Sequence, residues 1–249
     1  MIKFFRHIRK SLLMENKTGK YFKYAIGEIV LVVIGILIAL QINNWNEQKK
    51  EYNTATILAK SLVEDLNKDL DFLNSALTFS QLKIENCDSL LELLSVLEKQ
   101  WNIESIYQKL NIVGQSNPFF PTTGTFQQIV TSGSLKLFDQ NIANQLNAYE
   151  MQLKKLAYWA DAEDKTLWLF ADIVWKGMNM QAIADIRFNY NQKNEMFMNI
   201  PEASINEFIN LTSAIKTYRT KTEIEYKEQL QLAKKLIASL NDSYKLGVL

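Results

Sequence analysis

Apolar residues follow two different patterns along the chain, one continuous and one periodic. Residues 24–42 form a nearly continuous apolar run, and residues 29–40 within it carry no polar side chain. At about 1.5 Å per residue, a helix of this length spans about 28 Å, which is close to the hydrocarbon thickness of a bilayer. The run therefore predicts a transmembrane helix.

The periodic pattern begins after this span. No Gly or Pro occurs between Gly35 and Gly114, and apolar residues recur there at spacings of three and four. This spacing is typical of an amphipathic helix and predicts either one long helix or two nearly continuous ones. Pro118 and Pro121 then indicate that residues 114–124 form a loop.

Helical periodicity continues towards the C-terminus. A second long helix is expected to begin at Asp139, an N-cap residue, and a third near Glu202, after Pro201. The other predicted features are a short helix over residues 126–131, the end of the second long helix at Gly177 after Trp175, and a short helix over residues 178–188. The predicted fold is all-α: a single N-terminal transmembrane helix followed by an extracytoplasmic antiparallel bundle of three long helices with short helical connectors, ordered up-down-up.

Charge is distributed unevenly along the chain. Residues 1–23 carry seven Lys and Arg against Glu15, whereas the chain from Asn44 onward carries 21 basic and 25 acidic side chains. The positive-inside rule therefore places the N-terminus in the cytoplasm. The predicted parts are a basic amphipathic cytoplasmic tail (1–23), the transmembrane helix (24–42) and an extracytoplasmic helical-bundle domain (43–249) in the periplasm.

A cleaved secretory signal peptide is the alternative for so short an apolar run. The residues after Leu40 lack the small-x-small pattern that cleavage requires. Aromatic residues also flank the run on both sides, as in the interfacial belt of a membrane anchor: Tyr21, Phe22, Tyr24 and Trp45. Both features favour an anchor.

Two features within the span are candidates for a function. Gly27, Gly35 and Ala39 lie on one helical stripe, and small residues in such a stripe allow two membrane helices to pack closely. Glu28 is the one ionisable residue in the span, and a carboxylate there is costly to bury. The alternative for Glu28 is an ion pair near the headgroups with Lys23 or Lys20.

Residue types that carry catalysis are scarce. The one histidine, His7, lies in the tail, so the domain beyond the span has no imidazole for general base catalysis or metal binding. A solvated helix face explains the carboxylates at 161, 163 and 164, and Cys87 is expected in a helix core, with an intermolecular disulfide as the alternative. We predict no enzyme activity, no catalytic residue, no cofactor and no metal. The negative charge beyond the span also disfavours nucleic acid as a partner.

The second long helix carries an aromatic cluster. Trp168 and Trp175 are seven residues apart and share one face, which is the spacing of residues packed in a core. The alternative is a ligand cleft, in which Arg187 and Arg219, the two arginines outside the tail, would hold an anionic ligand. An arginine in a helical bundle more often extends to solvent or pairs with a neighbouring Glu.

The N-terminal region resembles a known family. Residues 24–47, YAIGEIVLVVIGILIALQINNWNE, and the basic tail before them are similar to the N-terminal signature of an uncharacterised family of Gram-negative single-pass membrane proteins, a domain of unknown function. Further on, TFQQIVTSGSLKLF and LNAYEMQL are similar to the second half of that family. The resemblance implies a single-pass topology without known chemistry and supplies no catalytic residues.

The expected function is a non-enzymatic one in the cell inner membrane. We predict an envelope interaction or scaffold protein that acts through its helical bundle. Its expected partners are membrane lipids and either a second copy of the chain or another envelope protein. The alternative is a periplasmic ligand-sensing module that signals through a partner protein, since a tail of 23 residues holds no output domain.

Overall fold

The computed structural model describes residues 18–190 and 194–246, so residues 1–17 of the predicted tail lie outside it. The described residues form six α-helices: α1 (Thr18–Leu94), α2 (Ile103–Val113), α3 (Gly124–Thr131), α4 (Gln140–Gly177), α5 (Met180–Phe188) and α6 (Glu202–Tyr244). Two short 3₁₀ helices, Glu98–Gln100 and Ser134–Leu137, lie between them. No strand forms in these residues, and an isolated bridge joins Met178 to Met198. The all-α prediction is confirmed for this part of the chain.

α1 contains the predicted membrane span. One window of 18 residues has a mean hydropathy of 2.6, and none of that window is buried. The helix is therefore long and apolar enough to cross a membrane. It continues without a break to Leu94, so one long helix forms where the sequence left a choice between one and two. Contacts divide the chain into two units between Ala55 and Thr56, and the second unit contains the other helices.

Local side-chain chemistry sets several helix starts in the second unit. Asp139 Oδ1 accepts a hydrogen bond of 2.8 Å from the Ile142 amide, which confirms the predicted N-cap of α4. Asn102 caps α2 in the same way, and Asn179 caps α5. Pro201 precedes the first residue of α6, as expected for a proline, which cannot donate a backbone hydrogen bond.

α4 and α6 pack against each other in opposite directions. Gln145, near the start of α4, donates a hydrogen bond of 2.9 Å to Ser239, near the end of α6. At the other end of the pair, the rings of Phe170 and Phe208 stack with centroids 5.1 Å apart. From Phe208 to Leu240 the buried face of α6 contains residues spaced alternately by four and three, and the last step, to Tyr244, is again four: Phe208, Thr212, Ile215, Arg219, Thr222, Tyr226, Gln229, Ala233, Leu236, Leu240 and Tyr244. Such a stripe is typical of helices that pack at a small angle.

α1 and α4, by contrast, run parallel. Tyr149 donates a hydrogen bond of 2.6 Å to Asp69, and Lys83 donates one of 2.7 Å to Glu163. Each pair is separated by 80 residues in sequence, so position increases in the same direction along both helices. The predicted antiparallel, up-down-up order is therefore wrong for these two helices.

An extended segment between α2 and α3 explains the parallel arrangement. This segment, residues 115–123, is called the strap. The Gln115 carbonyl accepts a hydrogen bond of 2.6 Å from Lys83, and the Thr122 amide donates one of 2.7 Å to Asp69. Seven extended residues cover about 23 Å, which matches the rise of about 21 Å for the fourteen helical residues between Asp69 and Lys83. The strap thus returns the chain along α1 before α4 begins.

Among the residues that the structure describes, the buried apolar side chains of the second unit include a larger and a smaller cluster. The larger one joins residues of α1, α2, α4, α5 and α6, including Ile106, Phe170 and Phe208. Cys87 is fully buried in it, which confirms the expected core position of this residue. The smaller cluster contains Leu73, Ala76, Leu156 and Tyr226.

Candidate functional site

A cavity of about 340 Å³ lies against the C-terminal half of α4. Three of the four residues of the predicted ligand cleft line it, namely Trp168, Trp175 and Arg187. The fourth, Arg219, lines a neighbouring cavity of about 250 Å³. The two cavities share two lining residues, one on the strap and one on α4. We call the larger cavity the aromatic cleft and the smaller one the polar cavity.

The two tryptophans lie at the surface. Trp168 is 62% exposed and Trp175 is 53% exposed, and their rings meet edge to face with centroids 5.9 Å apart. The prediction that they pack in the core is therefore wrong. Spacing of seven shows that two residues share a face, but the inward face of α4 belongs to other residues: Leu167, Phe170 and Val174.

Buried apolar side chains from three helices form the floor of the aromatic cleft. They are Leu110 of α2, Leu167, Phe170 and Val174 of α4, and Ile183 of α5. Tyr107 holds α2 against the start of α5, because its hydroxyl accepts a hydrogen bond of 2.8 Å from the Asn179 amide and donates one of 2.7 Å to the Phe197 carbonyl. The floor is thus fixed by the packing of α2, α4 and α5.

Arg187 lies at the edge of the cleft, in the last turn of α5. Its Nε donates a hydrogen bond of 3.0 Å to Asn111 Oδ1, and its Nη2 donates one of 3.1 Å to the Asn111 carbonyl. These two bonds use two of the five N–H groups of a guanidinium and fix its plane. The contact therefore orients Arg187 and leaves it able to bind a further acceptor.

Asp164 adds a negative charge to the lining of the cleft, opposite in sign to that of Arg187. It is exposed on α4 and lines both the aromatic cleft and the polar cavity. Across residues 18–190 and 194–246 it has no ion pair and no side-chain hydrogen bond, whereas Asp161, one turn earlier, accepts a hydrogen bond of 2.6 Å from Lys165. Asp161, Glu163 and Asp164 all line the polar cavity, but no group of three metal-ligating side chains among the described residues is placed to hold a metal ion.

A buried ion cluster forms part of the wall of the polar cavity. Lys83 Nζ is 2.7 Å from Glu163 Oε1, and the same oxygen accepts hydrogen bonds of 3.1 Å and 2.8 Å from Nε and Nη2 of Arg219. The three side chains expose 0%, 4% and 3% of their surface. Burial lowers the pKa of Lys83, and the attraction of Glu163 opposes that shift. Arg219 is therefore held by a carboxylate of the chain itself.

The prediction of a solvated helix face is wrong for Glu163, which is 3% exposed, and sequence reasoning also missed Lys83 and the ion pair of Glu163 with Arg219. A signal was present, because Lys83 continues a run of α1 positions spaced alternately by three and four that are all buried: Leu73, Ala76, Ser80, Lys83, Cys87, Leu90 and Leu94. Arg219 occupies an equivalent position in the buried stripe of α6. A charged residue within such a stripe indicates a buried ion pair.

The candidate residues of the span lie in the first part of α1. A Cβ built at Gly27 or Gly35 would meet no atom within 4 Å, and Ala39 is exposed. Glu28 is partly buried. Close packing of this stripe on a second helix stays a prediction, as does a function for Glu28.

Comparison with known proteins gives one match. The model of a family of unknown function matches residues 28–184, which is more than half of the chain. The match contains Trp168 and Trp175 and ends before Arg187. No curated protein and no solved structure matches the chain.

Proposed function

The chain belongs to a family of unknown function (DUF6090), and we propose that it is a membrane-anchored, non-enzymatic interaction protein of the cell envelope. In this proposal α1 anchors the chain in the inner membrane and the short N-terminal tail is cytoplasmic. The helical domain lies in the periplasm and binds a partner protein. The observation that carries the proposal is an exposed aromatic surface at the cleft.

The aromatic rim is the name given to two exposed aromatic pairs: Trp168 and Trp175, which line the cleft, and Phe188 and Tyr190, which follow the cleft residue Arg187 in the chain. Each of the four exposes more than half of its surface. They form two pairs, with ring centroids 5.9 Å apart for the tryptophans and 5.7 Å apart for Phe188 and Tyr190. Arg187, which precedes Phe188, lines the same cleft as the tryptophans. Exposed apolar patches mark interaction sites, and Trp, Tyr and Arg dominate the binding energy of protein interfaces.

The anchor and its orientation rest on the first part of the chain. The apolar window in α1 supports a membrane span. Seven basic residues before the span support a cytoplasmic N-terminus by the positive-inside rule. A phosphatase reporter that folds only in the periplasm, fused to the C-terminus, is expected to be active. If this fusion is inactive and a reporter that works only in the cytoplasm is active at the same position, the C-terminus lies in the cytoplasm and the proposed orientation is wrong.

The absence of catalysis is also part of the proposal. The one histidine of the chain lies at position 7, before the span. The one cysteine is a poor nucleophile, because burial raises the pKa of Cys87 to about 12. Turnover of any substrate that is lost when one carboxylate of the helical domain is neutralised would overturn this part.

Site-specific crosslinking in cells tests the interaction. A photoreactive residue is placed at Trp175 or Phe188 in the rim, and matched controls carry it at Met151 or Tyr158 of α4, which are 70% and 66% exposed. We expect the two rim positions to give the same discrete product, identified by mass spectrometry, and the control positions to give none. A product containing two copies of the chain would identify the partner as itself. Equal crosslinking from rim and control positions, or none from any, would overturn the proposal.

A second candidate function is favoured by the cleft itself. Its floor is apolar and fixed by three helices, and its volume of about 340 Å³ is in the range of small-molecule sites. We propose as this alternative a ligand-sensing module that signals through a partner protein. The rim and the cleft then act together, with ligand in the cleft and partner on the rim.

A further inference from the structure

We propose that the aromatic cleft binds a small zwitterion, a molecule with an apolar group that also carries an ammonium and a carboxylate, of which an α-amino acid with an apolar side chain is the simplest example. This inference rests on the second proposed function and names the class of ligand. It is carried by the position of two oppositely charged side chains on the lining of one apolar cavity.

The apolar part of the ligand is matched by the floor and wall of the cleft. The floor consists of buried aliphatic and aromatic side chains, with Phe170 only 2% exposed. Trp168 and Trp175 stand beside it as an exposed wall, so a ligand entering the cleft would cover surface that is now open to water. Burial of apolar area on both partners favours binding in proportion to that area.

The carboxylate of the ligand is matched by Arg187. Asn111 holds the guanidinium through Nε and Nη2, so its direction is set before a ligand arrives. A guanidinium binds a carboxylate through parallel hydrogen bonds, and a fixed one loses less side-chain entropy when it does so. In residues 18–190 and 194–246 no acidic side chain pairs with Arg187.

The ammonium of the ligand is matched by Asp164. This carboxylate lines the cleft and has no partner across the described ranges. The indole rings beside it add to the attraction, because an aromatic face attracts a cation. A ligand with a negative charge alone would be repelled by Asp164, and one with a positive charge alone would be repelled by Arg187. A ligand that carries both charges can pair with Asp164 and with Arg187.

Intrinsic fluorescence provides the measurement, because two of the five tryptophans line the cleft. The full chain in detergent micelles or nanodiscs is titrated with L-phenylalanine, N-acetyl-L-phenylalanine, L-phenylalanine amide and 2-phenylethanol, and L-leucine is added as an aliphatic probe. We expect L-phenylalanine or L-leucine to change the emission. The N-acetyl and amide compounds should bind at least about tenfold more weakly than L-phenylalanine, since each loses one charge-assisted contact.

Two variants test the contributions of Arg187 and Asp164 separately. Arg187→Gln should abolish the preference for L-phenylalanine over its amide, and Asp164→Asn should abolish the preference over the N-acetyl compound. Asp172→Asn, on the same helix and in a pair with Lys176 outside the cleft, serves as the control and should bind like the parent chain. Circular dichroism is used to check that all three variants are folded.

The outcomes distinguish the ligand class from the proposed function. If 2-phenylethanol binds as tightly as L-phenylalanine, the cleft binds apolar molecules without recognising charge, and the zwitterion is overturned while a ligand-binding function stands. If the amide or the N-acetyl compound binds most tightly, a ligand with one charge replaces the zwitterion. If no probe changes the emission, both the proposed ligand class and the proposed sensing function are overturned.

Discussion

Lys83 and Glu163 form an ion pair of 2.7 Å in which neither side chain exposes more than 4% of its surface. Glu163 also accepts two hydrogen bonds from Arg219, so one carboxylate oxygen compensates two buried cations. The pair joins α1 to α4, and Arg219 brings α6 to the same point. Ion pairs of this kind contribute little net stability when complete, but removing one partner leaves an uncompensated charge in the interior.

Glu163→Gln is therefore expected to lower the free energy of unfolding by about 3–5 kcal/mol, because two cations lose their counterion. The measurement is denaturant unfolding of the full chain in detergent, followed by circular dichroism. Asp161→Asn, which removes an exposed ion pair with Lys165, should change the same quantity by about 1 kcal/mol or less. Adding Lys83→Met to Glu163→Gln should restore part of the loss. Equal effects of the two single variants would show that the cluster is solvated.

Trp168→Ala and Phe170→Ala test which face of α4 is inward. Phe170 is 2% exposed and stacks on Phe208, so its removal should cost about 3–5 kcal/mol of unfolding free energy. Trp168 is 62% exposed, and its removal should cost about 1 kcal/mol or less. The comparison uses thermal or denaturant unfolding of both variants side by side. A larger loss of unfolding free energy for Trp168→Ala than for Phe170→Ala would show that Trp168 packs in the core.

Gly177→Ala is expected to destabilise the end of α4. A Cβ at this position would lie 2.7 Å from Ile200 Cγ1 and 3.3 Å from the Ile200 Cα and N, so the backbone must move. The cost is expected to be about 1–3 kcal/mol in unfolding free energy. Gly124→Ala is the control, because a Cβ there meets nothing within 4 Å. A tolerated Gly177→Ala would show that the Ile200 segment moves freely.

Tyr149→Phe tests the attachment of the strap. Asp69 is 2% exposed and accepts hydrogen bonds from the Tyr149 hydroxyl, at 2.6 Å, and from the Thr122 amide, at 2.7 Å. Loss of the hydroxyl should lower the unfolding free energy by about 1.5–3 kcal/mol, since a buried charge loses a donor. Hydrogen exchange at the Thr122 amide should become faster. Tyr158→Phe, at an exposed position, should leave both quantities unchanged, and unchanged exchange in Tyr149→Phe would contradict the role of Asp69.

Cys87 gives a prediction in alkaline solution. Burial raises the pKa of its thiol from 9.0 to about 12, so the folded chain holds its proton where the unfolded chain has lost it. The resulting stability is fully present below pH 9 and is lost as the pH rises through about 12, at about 1.4 kcal/mol per pH unit between these values. Unfolding of the parent chain and of Cys87→Ala, measured from pH 8 to 11, should therefore converge as the pH rises. A constant difference would exclude the shift.

Element positions were predicted well from the sequence because their signals are local. Capping by Asp139, the start of α6 after Pro201 and the apolar span each depend on a few neighbouring residues. The N-terminal signature indicated membership in an uncharacterised family, which the match over residues 28–184 confirms. The direction of α4 was not predictable in the same way. It depends on the strap, where backbone groups bind Lys83 and Asp69 from far along the chain.

The candidate site was predictable in part. The spacing of Trp168 and Trp175 showed correctly that they share a face, but the amount of neighbouring apolar surface decides whether that face is inward. The role proposed for Asp164 depends on its position on the lining of the same cavity as Arg187, and these residues lie on separate helices. No pattern in either helix alone contains that information.

The two hydrogen bonds between α1 and α4 are separated by fourteen residues on each helix, from Asp69 to Lys83 and from Tyr149 to Glu163. One residue inserted between them on α1 alone would shift Lys83 by about 1.5 Å along the axis and turn it by about 100° away from its partner. Insertions and deletions in this stretch should therefore be tolerated in natural variants only when both helices, and the strap that spans the same distance, change in length together.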